Sequence, residues 1–405
     1  MSLKLSQRVQ RVGLSPNAAA KARATELRGG GRDILDLTTG EPDFDTPEHI
    51  KAAAWAALRA GATKYTATPG TQALREAVVA KLARENQLSY SLAEVVIANG
   101  AKQVIFNAFA ATLDEGDEVI VPVPYWPTFP DAVRFNGGTP VLLECPFEQG
   151  CKLLPEQLEA AIGPRTRWLI LNNPGNPSGA LYSATELHAL AAVLRRHPQV
   201  WLLLDELYEH IRFDGGAPSN LLNLAPDLKP RTLLVGGVSK TYAMTGWRIG
   251  FGAAPAALAK AMVVVQSQAA SGASSVSQAA ALAAFNGGLG FLPAQLAAYR
   301  ERRDLLVAAL APLPGLQVLV PEGGFFVFVR CAGWIGRLRP DGQRINSDAC
   351  AAAWLLEHGV AAIAGSAYGQ SPWLRFSIAT ATAAVAEAGR RVAAACAQLS
   401  EPAHA

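Results

Sequence analysis

The sequence predicts an α/β protein, with a mostly parallel central sheet in a large domain and a smaller α+β domain assembled from both ends of the chain. Three observations predict it. Between about residues 90 and 255, short apolar runs alternate with longer amphipathic ones, the rhythm of βαβ units around a buried sheet. After about residue 290 the pattern changes to a long polar helix followed by alternating strands. The first 45 residues contain no βαβ unit and end in the turn-rich LTTGEPDFDTP, so they are expected to pack with the C-terminal part. The large domain is accordingly drawn at residues 46–290, and the small one at 1–45 together with 291–405.

Taken in order, EVVIANG reads as a strand and AKQVIFNAFAATL as the helix after it. DEVIVPVPYW, RWLILNNPGNP, VWLLLDELYEH, TLLVGGVSK and RIGFGAAP read as further strands with polar residues at their ends. LPEQLEAAI and SATELHALAAVLRR read as helices, the second opened by a capping box, Ser183-Ala184-Thr185-Glu186. AQLAAYRERRDLLVAAL is the long polar helix; APLPG breaks it, and LQVLV and GGFFVFVR follow as strands.

The chain has 405 residues, half of them apolar, and a formal net charge of +3, enough to bury a large core. Its basic residues are interspersed with acids, which excludes the footprint of a nucleic-acid or anionic-membrane binder and leaves small anionic ligands open. Five scattered cysteines without a CxxC fit free thiols in a reducing compartment, with no metal site, and make the cytoplasm the expected location. The opening MSLKLSQRVQRVGL lacks the continuous apolar stretch of a signal peptide, and no uncharged apolar run reaches membrane-spanning length.

In an open parallel sheet, ligands bind at the carboxyl ends of the strands, where this sequence concentrates its polar anomalies. Gly100, Ala101 and Lys102 open a helix, and their N–H groups suit an anion, although a plain βα turn explains them too. Trp126 ends the next strand as either a stacking platform or core. Asn176 sits between two prolines that fix a rigid turn. Asp205 directly follows WLLL, where an unpaired carboxylate is costly, so it needs a cation: a structural Lys or Arg, or a ligand. Tyr208 lies three residues on, one turn later if a helix begins there. Lys240 follows another strand, with Arg248 beyond a glycine-containing turn.

The set has a common explanation. A lysine at a desolvating strand end serves as a Schiff-base amine, and an arginine fork nearby suits a phosphate dianion. A phosphorylated aldehyde cofactor uses both. Asp205 would meet a protonated ring nitrogen, Tyr208 and Asn176 the ring hydroxyl, and Trp126 the ring face, which is what pyridoxal 5'-phosphate needs as an electron sink.

The ordered motifs LTTGEPDFDTP, KYTATPG, NGAKQVIFN, PYWPTFPD, NNPGNPSG, DELYEH, SKTYAMTGWRIG, PEGGFFVF and LRFSIAT span nearly the whole chain. In them the sequence resembles the fold-type I, pyridoxal-phosphate-dependent class I aminotransferases, in their bacterial aspartate aminotransferase-like branch. The resemblance implies that Lys240 carries the cofactor and shuttles the proton, while Asp205 pairs with the ring nitrogen. Asn176 and Tyr208 bond the ring oxygen. Arg248 and the amides at Gly100, Ala101 and Lys102 hold the phosphate, and Trp126 stacks on the ring. Arg375 grips the substrate α-carboxylate, with Gly40 and Asn176 lining the same pocket. Tyr65 reaches the phosphate of a partner subunit, which implies a homodimer with shared sites. Lys102 and Ser267 match positions used around a distal carboxylate. Ala269 and Ala270 stand where relatives more often carry Ser and Thr, and Ser239 where close relatives have alanine; Ser239 is either a phosphate ligand or a spectator.

The activity expected is ping-pong exchange of an amino group between an amino acid, best aspartate or glutamate, and a 2-oxo acid, 2-oxoglutarate or oxaloacetate. The alternatives are an aromatic or other 2-oxo-acid aminotransferase and a same-fold lyase. Retention of Lys240, Asp205, Tyr208 and Arg248 together argues against a silent binding protein, and no GxGxxG follows a strand to support a nicotinamide-dependent dehydrogenase.

Overall fold

A computed structural model describes residues 3–14, 16–216 and 220–401. Its central sheet has seven strands: β1 (Val95–Ala98), β2 (Glu118–Val123), β3 (Thr139–Glu144), β4 (Thr166–Asn172), β5 (Trp201–Asp205), β6 (Thr232–Gly237) and β7 (Gly250–Ala253). The spatial order is β1-β7-β6-β5-β4-β2-β3. All run parallel except β7, which is antiparallel to both β1 and β6. The reason lies in the connection: residues 238–249 return from β6 without a crossover helix, which a parallel partner would need. Lys240 and Arg248 sit in that return.

Both faces of the sheet are covered, so neighbouring residues of one strand enter different cores. Leu202 and Leu204 pack with the helices Gln72–Asn86, Ala184–Arg196 and Ser275–Asn286. Leu203 between them packs with Ala101–Thr112 and Ala256–Ala269. Two-sided burial is what makes these strands read as unbroken apolar runs. The expected capping box is present: Glu186 N–H donates to Ser183 Oγ at 3.3 Å, and Ser183 N–H donates to Glu186 Oε2 at 2.7 Å.

A further core gathers the helices Leu292–Leu310 and Thr382–Ala397 against β8 (Gln317–Leu319), β9 (Phe326–Arg330), β10 (Ile363–Ala364) and β11 (Trp373–Ser377). These strands form an antiparallel sheet in the order β10-β11-β9-β8. Leu35–Asp36 pairs in parallel with Val360–Ala361, and Ser377 N–H donates to Leu37 O at 2.8 Å, so the N-terminal segment joins this core.

Two features differ from the sequence reading. β3 is a seventh strand at the sheet edge that the sequence reading passed over; its Pro140–Leu143 run is apolar, yet none of its residues is fully buried. After Asp205 the chain makes a turn rather than a helix, and the turn alone brings Tyr208 to the same side.

Candidate active site

The carboxyl ends of β4, β5 and β6, the N-terminus of the helix Ala101–Thr112 and β11 converge on one cavity of about 320 Å³. Lys240 reaches it from the β6–β7 return, and its Nζ donates to the Gly40 carbonyl. Burial pushes this ammonium down to about 8; Glu41 opposes the shift, whereas Arg248 and Arg375 add to it. A neutral, nucleophilic amine is therefore accessible near physiological pH.

Asp205, at the end of β5, is only 3% exposed. Among the described residues no Lys or Arg lies within salt-bridge distance of it; its Oδ1 accepts the Leu207 N–H at 3.2 Å. Burial pushes its carboxyl up to about 6, with that N–H and the more distant Lys240 pulling the other way. No structural ion pair forms with it among the described residues, so a buried carboxyl faces the cavity without a directly paired cation. Two asparagines fix its strand end: Asn172 Nδ2 donates to Asp205 O at 3.0 Å, and Asn172 Oδ1 accepts the Asn176 N–H at 2.8 Å. Tyr208 lines the same cavity, and burial raises its phenol far above the ordinary range.

At another wall, Gly100 precedes the helix Ala101–Thr112 with φ 84°, so the N–H groups of Ala101 and Lys102 begin the helix without a carbonyl four residues back. Arg248 completes a cradle there: its Nη1 donates to Thr245 O at 2.8 Å and its Nη2 to Asn99 O at 3.4 Å. No acidic residue among those described pairs with it, and the Ser239 hydroxyl beside it makes no hydrogen bond to a described residue. Orphan helix N–H groups with a free guanidinium make an anion site suited to a phosphate. Trp126 forms an adjacent wall, and the Lys102 ammonium lies 5.1 Å from its ring centroid. Burial, then Arg248, lower the Lys102 ammonium, while Asp131 opposes them.

Arg375, in the middle of β11, is wholly buried. Its Nη1 donates to Asn176 Oδ1 at 3.2 Å and its Nη2 to Thr38 O at 2.8 Å, while Nε has no partner. The Phe326 and Tyr368 rings flank it, with centroids 4.1 and 4.9 Å from the guanidinium carbon. No carboxylate among the described residues neutralises it. A buried guanidinium with an unused donor is a ready receptor for a ligand carboxylate.

The profile described as "Aminotransferase class I and II" matches residues 32–392. The chain belongs to this family. The aspartate aminotransferase of Rhizobium meliloti (strain 1021) is 51% identical over 396 residues, covering 98% of this chain and 97% of the relative. The aspartate/prephenate aminotransferase of Cereibacter sphaeroides is 48% identical over 397 residues, covering 98% and 99%. The crystal structure of the Rhizobium meliloti enzyme superimposes with a TM-score of 0.96 at 50% identity, covering 98% of this chain and all 100% of the other. The Thermus thermophilus aspartate aminotransferase with maleate gives 0.91 at 40% identity, covering 97% and 100%. The fold is that of the fold-type I aminotransferases, and the protein is an aminotransferase.

In this aminotransferase the cavity brings together Gly40, Ala101, Lys102, Trp126 and Asn176 with Asp205, Tyr208, Ser239, Lys240, Arg248 and Arg375, and Gly100 lies directly against Arg248. Tyr65 and Ser267 are not in it: Tyr65 is 100% exposed, and the Ser267 hydroxyl donates to Val264 O at 2.7 Å. Ala269, the last residue of the helix Ala256–Ala269, and Ala270, just beyond it, are both exposed. The sequence reading missed Asn17 and Lys21, on the helix Pro16–Gly29, and Glu41, all on the cavity wall. That helix buries only Ala24, so its sequence carries no stripe pointing at a site.

Proposed function

We propose that the aminotransferase uses pyridoxal 5'-phosphate to move the amino group of aspartate or glutamate to 2-oxoglutarate or oxaloacetate by a ping-pong route. The observation that carries this reading is the Lys240 amine and the unpaired Asp205 carboxyl on one cavity whose wall holds an anion cradle. When bound, the cofactor supplies an electron sink for breaking a bond at the substrate α-carbon. Lys240 holds it covalently and moves the proton at that carbon. Asp205 keeps a ring nitrogen protonated, and Asn176 and Tyr208 orient the ring oxygen. Arg248, the N–H groups of Ala101 and Lys102, and the Ser239 hydroxyl hold the phosphate, while Gly100, whose own N–H donates to Ala98 O at 2.8 Å, shapes the turn before them; Trp126 covers the ring face. Arg375 takes the α-carboxylate beside Gly40 and Asn176, and Lys102 serves substrates with a second carboxylate. Cysteines that are all free support a cytoplasmic enzyme. The large domain is taken as 46–290, and the small one as 1–45 with 291–405.

A second reading rests on an apolar space beside Lys102, bordered by Phe106, Pro127 and Phe135. It suits a bulkier substrate ring, and relatives named for both aspartate and prephenate support it. Borohydride reduction of the purified protein followed by peptide mapping tests the assignment. The cofactor label is expected on Lys240, and label on Lys102 or Lys260 overturns it.

A further inference from the structure

The cavity holds one cation that the reading above leaves without a role. Lys21 lies one helical turn after Asn17 on Pro16–Gly29, so both side chains face the cavity. Asn17 is fixed there, because its Oδ1 accepts from the Tyr368 hydroxyl at 2.9 Å, and the Tyr368 ring flanks Arg375. The helix face carrying Lys21 is thereby tied to the residues that receive the α-carboxylate. Lys21 Nζ donates to Glu41 Oε1 at 3.0 Å, and Glu41 Oε2 accepts from Thr245 Oγ1 at 2.9 Å. Glu41 directly follows Gly40, whose carbonyl accepts from Lys240, so this ion pair stands one residue from the contact of the reacting amine.

We propose, resting on the aminotransferase reading, that Lys21 is a specificity-determining residue that takes the distal carboxylate of a dicarboxylic substrate in exchange for Glu41. An ammonium has three donors and Glu41 uses one. The Lys21 side chain keeps 53% of its surface open, which leaves room for a second acceptor. Glu41 is not orphaned by the exchange, since it retains the Thr245 hydroxyl. A dicarboxylate thus replaces one carboxylate on Lys21 with another, whereas a neutral side chain offers nothing and leaves the pair closed. Recognition from this helix adds to whatever Lys102 contributes from its own.

The test uses the holoenzyme and two unreactive probes, succinate and butanoate, titrated calorimetrically into wild type, Lys21→Ala and Lys21→Arg. Succinate binding is expected to weaken about 10-fold in Lys21→Ala and to be retained in Lys21→Arg, while butanoate stays within about twofold in both. The kcat/KM for aspartate should fall with succinate affinity, and that for alanine should not. Equal changes for the two probes, or no change in Lys21→Ala, overturn the role of Lys21 while leaving the aminotransferase reading standing. A wild type that takes up no pyridoxal phosphate and transaminates no donor overturns both.

Discussion

Asp205 concentrates the chemistry of the site in one residue. With the cofactor absent its carboxyl is buried and unpaired, and its pKa rises from 3.8 to about 6. The folded protein then binds this proton more tightly than the unfolded chain. The stability contributed is fully present below pH 3.8 and is lost as pH rises through about 6. The swing approaches about 3 kcal/mol. Cofactor-free wild type is therefore expected to lose stability relative to cofactor-free Asp205→Asn across this window, read as diverging urea midpoints from pH 4 to pH 6. A difference that stays flat with pH would mean that the carboxyl is already compensated. With cofactor bound, Asp205→Asn should retain it yet turn over very slowly, because a neutral amide does not hold a ring proton.

At the scale of elements, the anion cradle depends on a contact between one helix and one loop. A methyl group at Gly100 would sit 2.3 Å from Arg248 Nη2, and φ 84° with ψ 163° is backbone that essentially only glycine adopts, at a cost of about 1–3 kcal/mol otherwise. Gly100→Ala is expected to displace Arg248 and to weaken pyridoxal phosphate binding in equilibrium dialysis. Gly290→Ala, with open space around it and no such backbone, should leave binding unchanged. Unchanged affinity in Gly100→Ala would remove Arg248 and this helix start from the phosphate site. The same scale decides what was legible beforehand. The ends of β1, β2, β4, β5 and β6 could be read because strands buried on both faces leave unbroken apolar runs, and a polar residue after WLLL or TLLVGG stands out. β3 escapes that reading although it carries the short apolar run Pro140–Leu143, because a proline at its second residue reads as a turn; at the sheet edge only Val141 and Leu143 pack on a core, and those only in part. Lys21 and Glu41 escape it too: each looks like a solvated charge, and only the packing of the N-terminal segment on β11 and on Val360–Ala361 turns them inward.

For the whole molecule, the decisive feature is Tyr65. It sits in GATKYTATPG, entirely exposed, with no core of its own, while Trp55 and Val264 on the helices Glu48–Arg59 and Ala256–Ala269 keep 61% and 59% of their surfaces open. Large apolar side chains left bare on a chain whose other aromatics are mostly buried are what the expected second copy of the chain would cover. In the two-fold dimer expected from the resemblance, each Tyr65 would reach its partner's cavity, and the two sites would be completed reciprocally. Tyr65 would then add a hydroxyl to the partner's phosphate cradle, where no acidic residue among those described pairs with Arg248. Tyr65→Ala should weaken cofactor binding and activity, and Lys240→Ala should abolish activity. Refolded together in equal amounts, half of the dimers are hybrids, each with one site containing both Lys240 and the partner's tyrosine, so about a quarter of wild-type activity returns. The two variants mixed without unfolding should recover it only as fast as subunits exchange. No recovery above the residual activity of Tyr65→Ala, or a monomer in sedimentation at assay concentration, would confine each site to a single chain and leave the exposure of Tyr65 to some other partner.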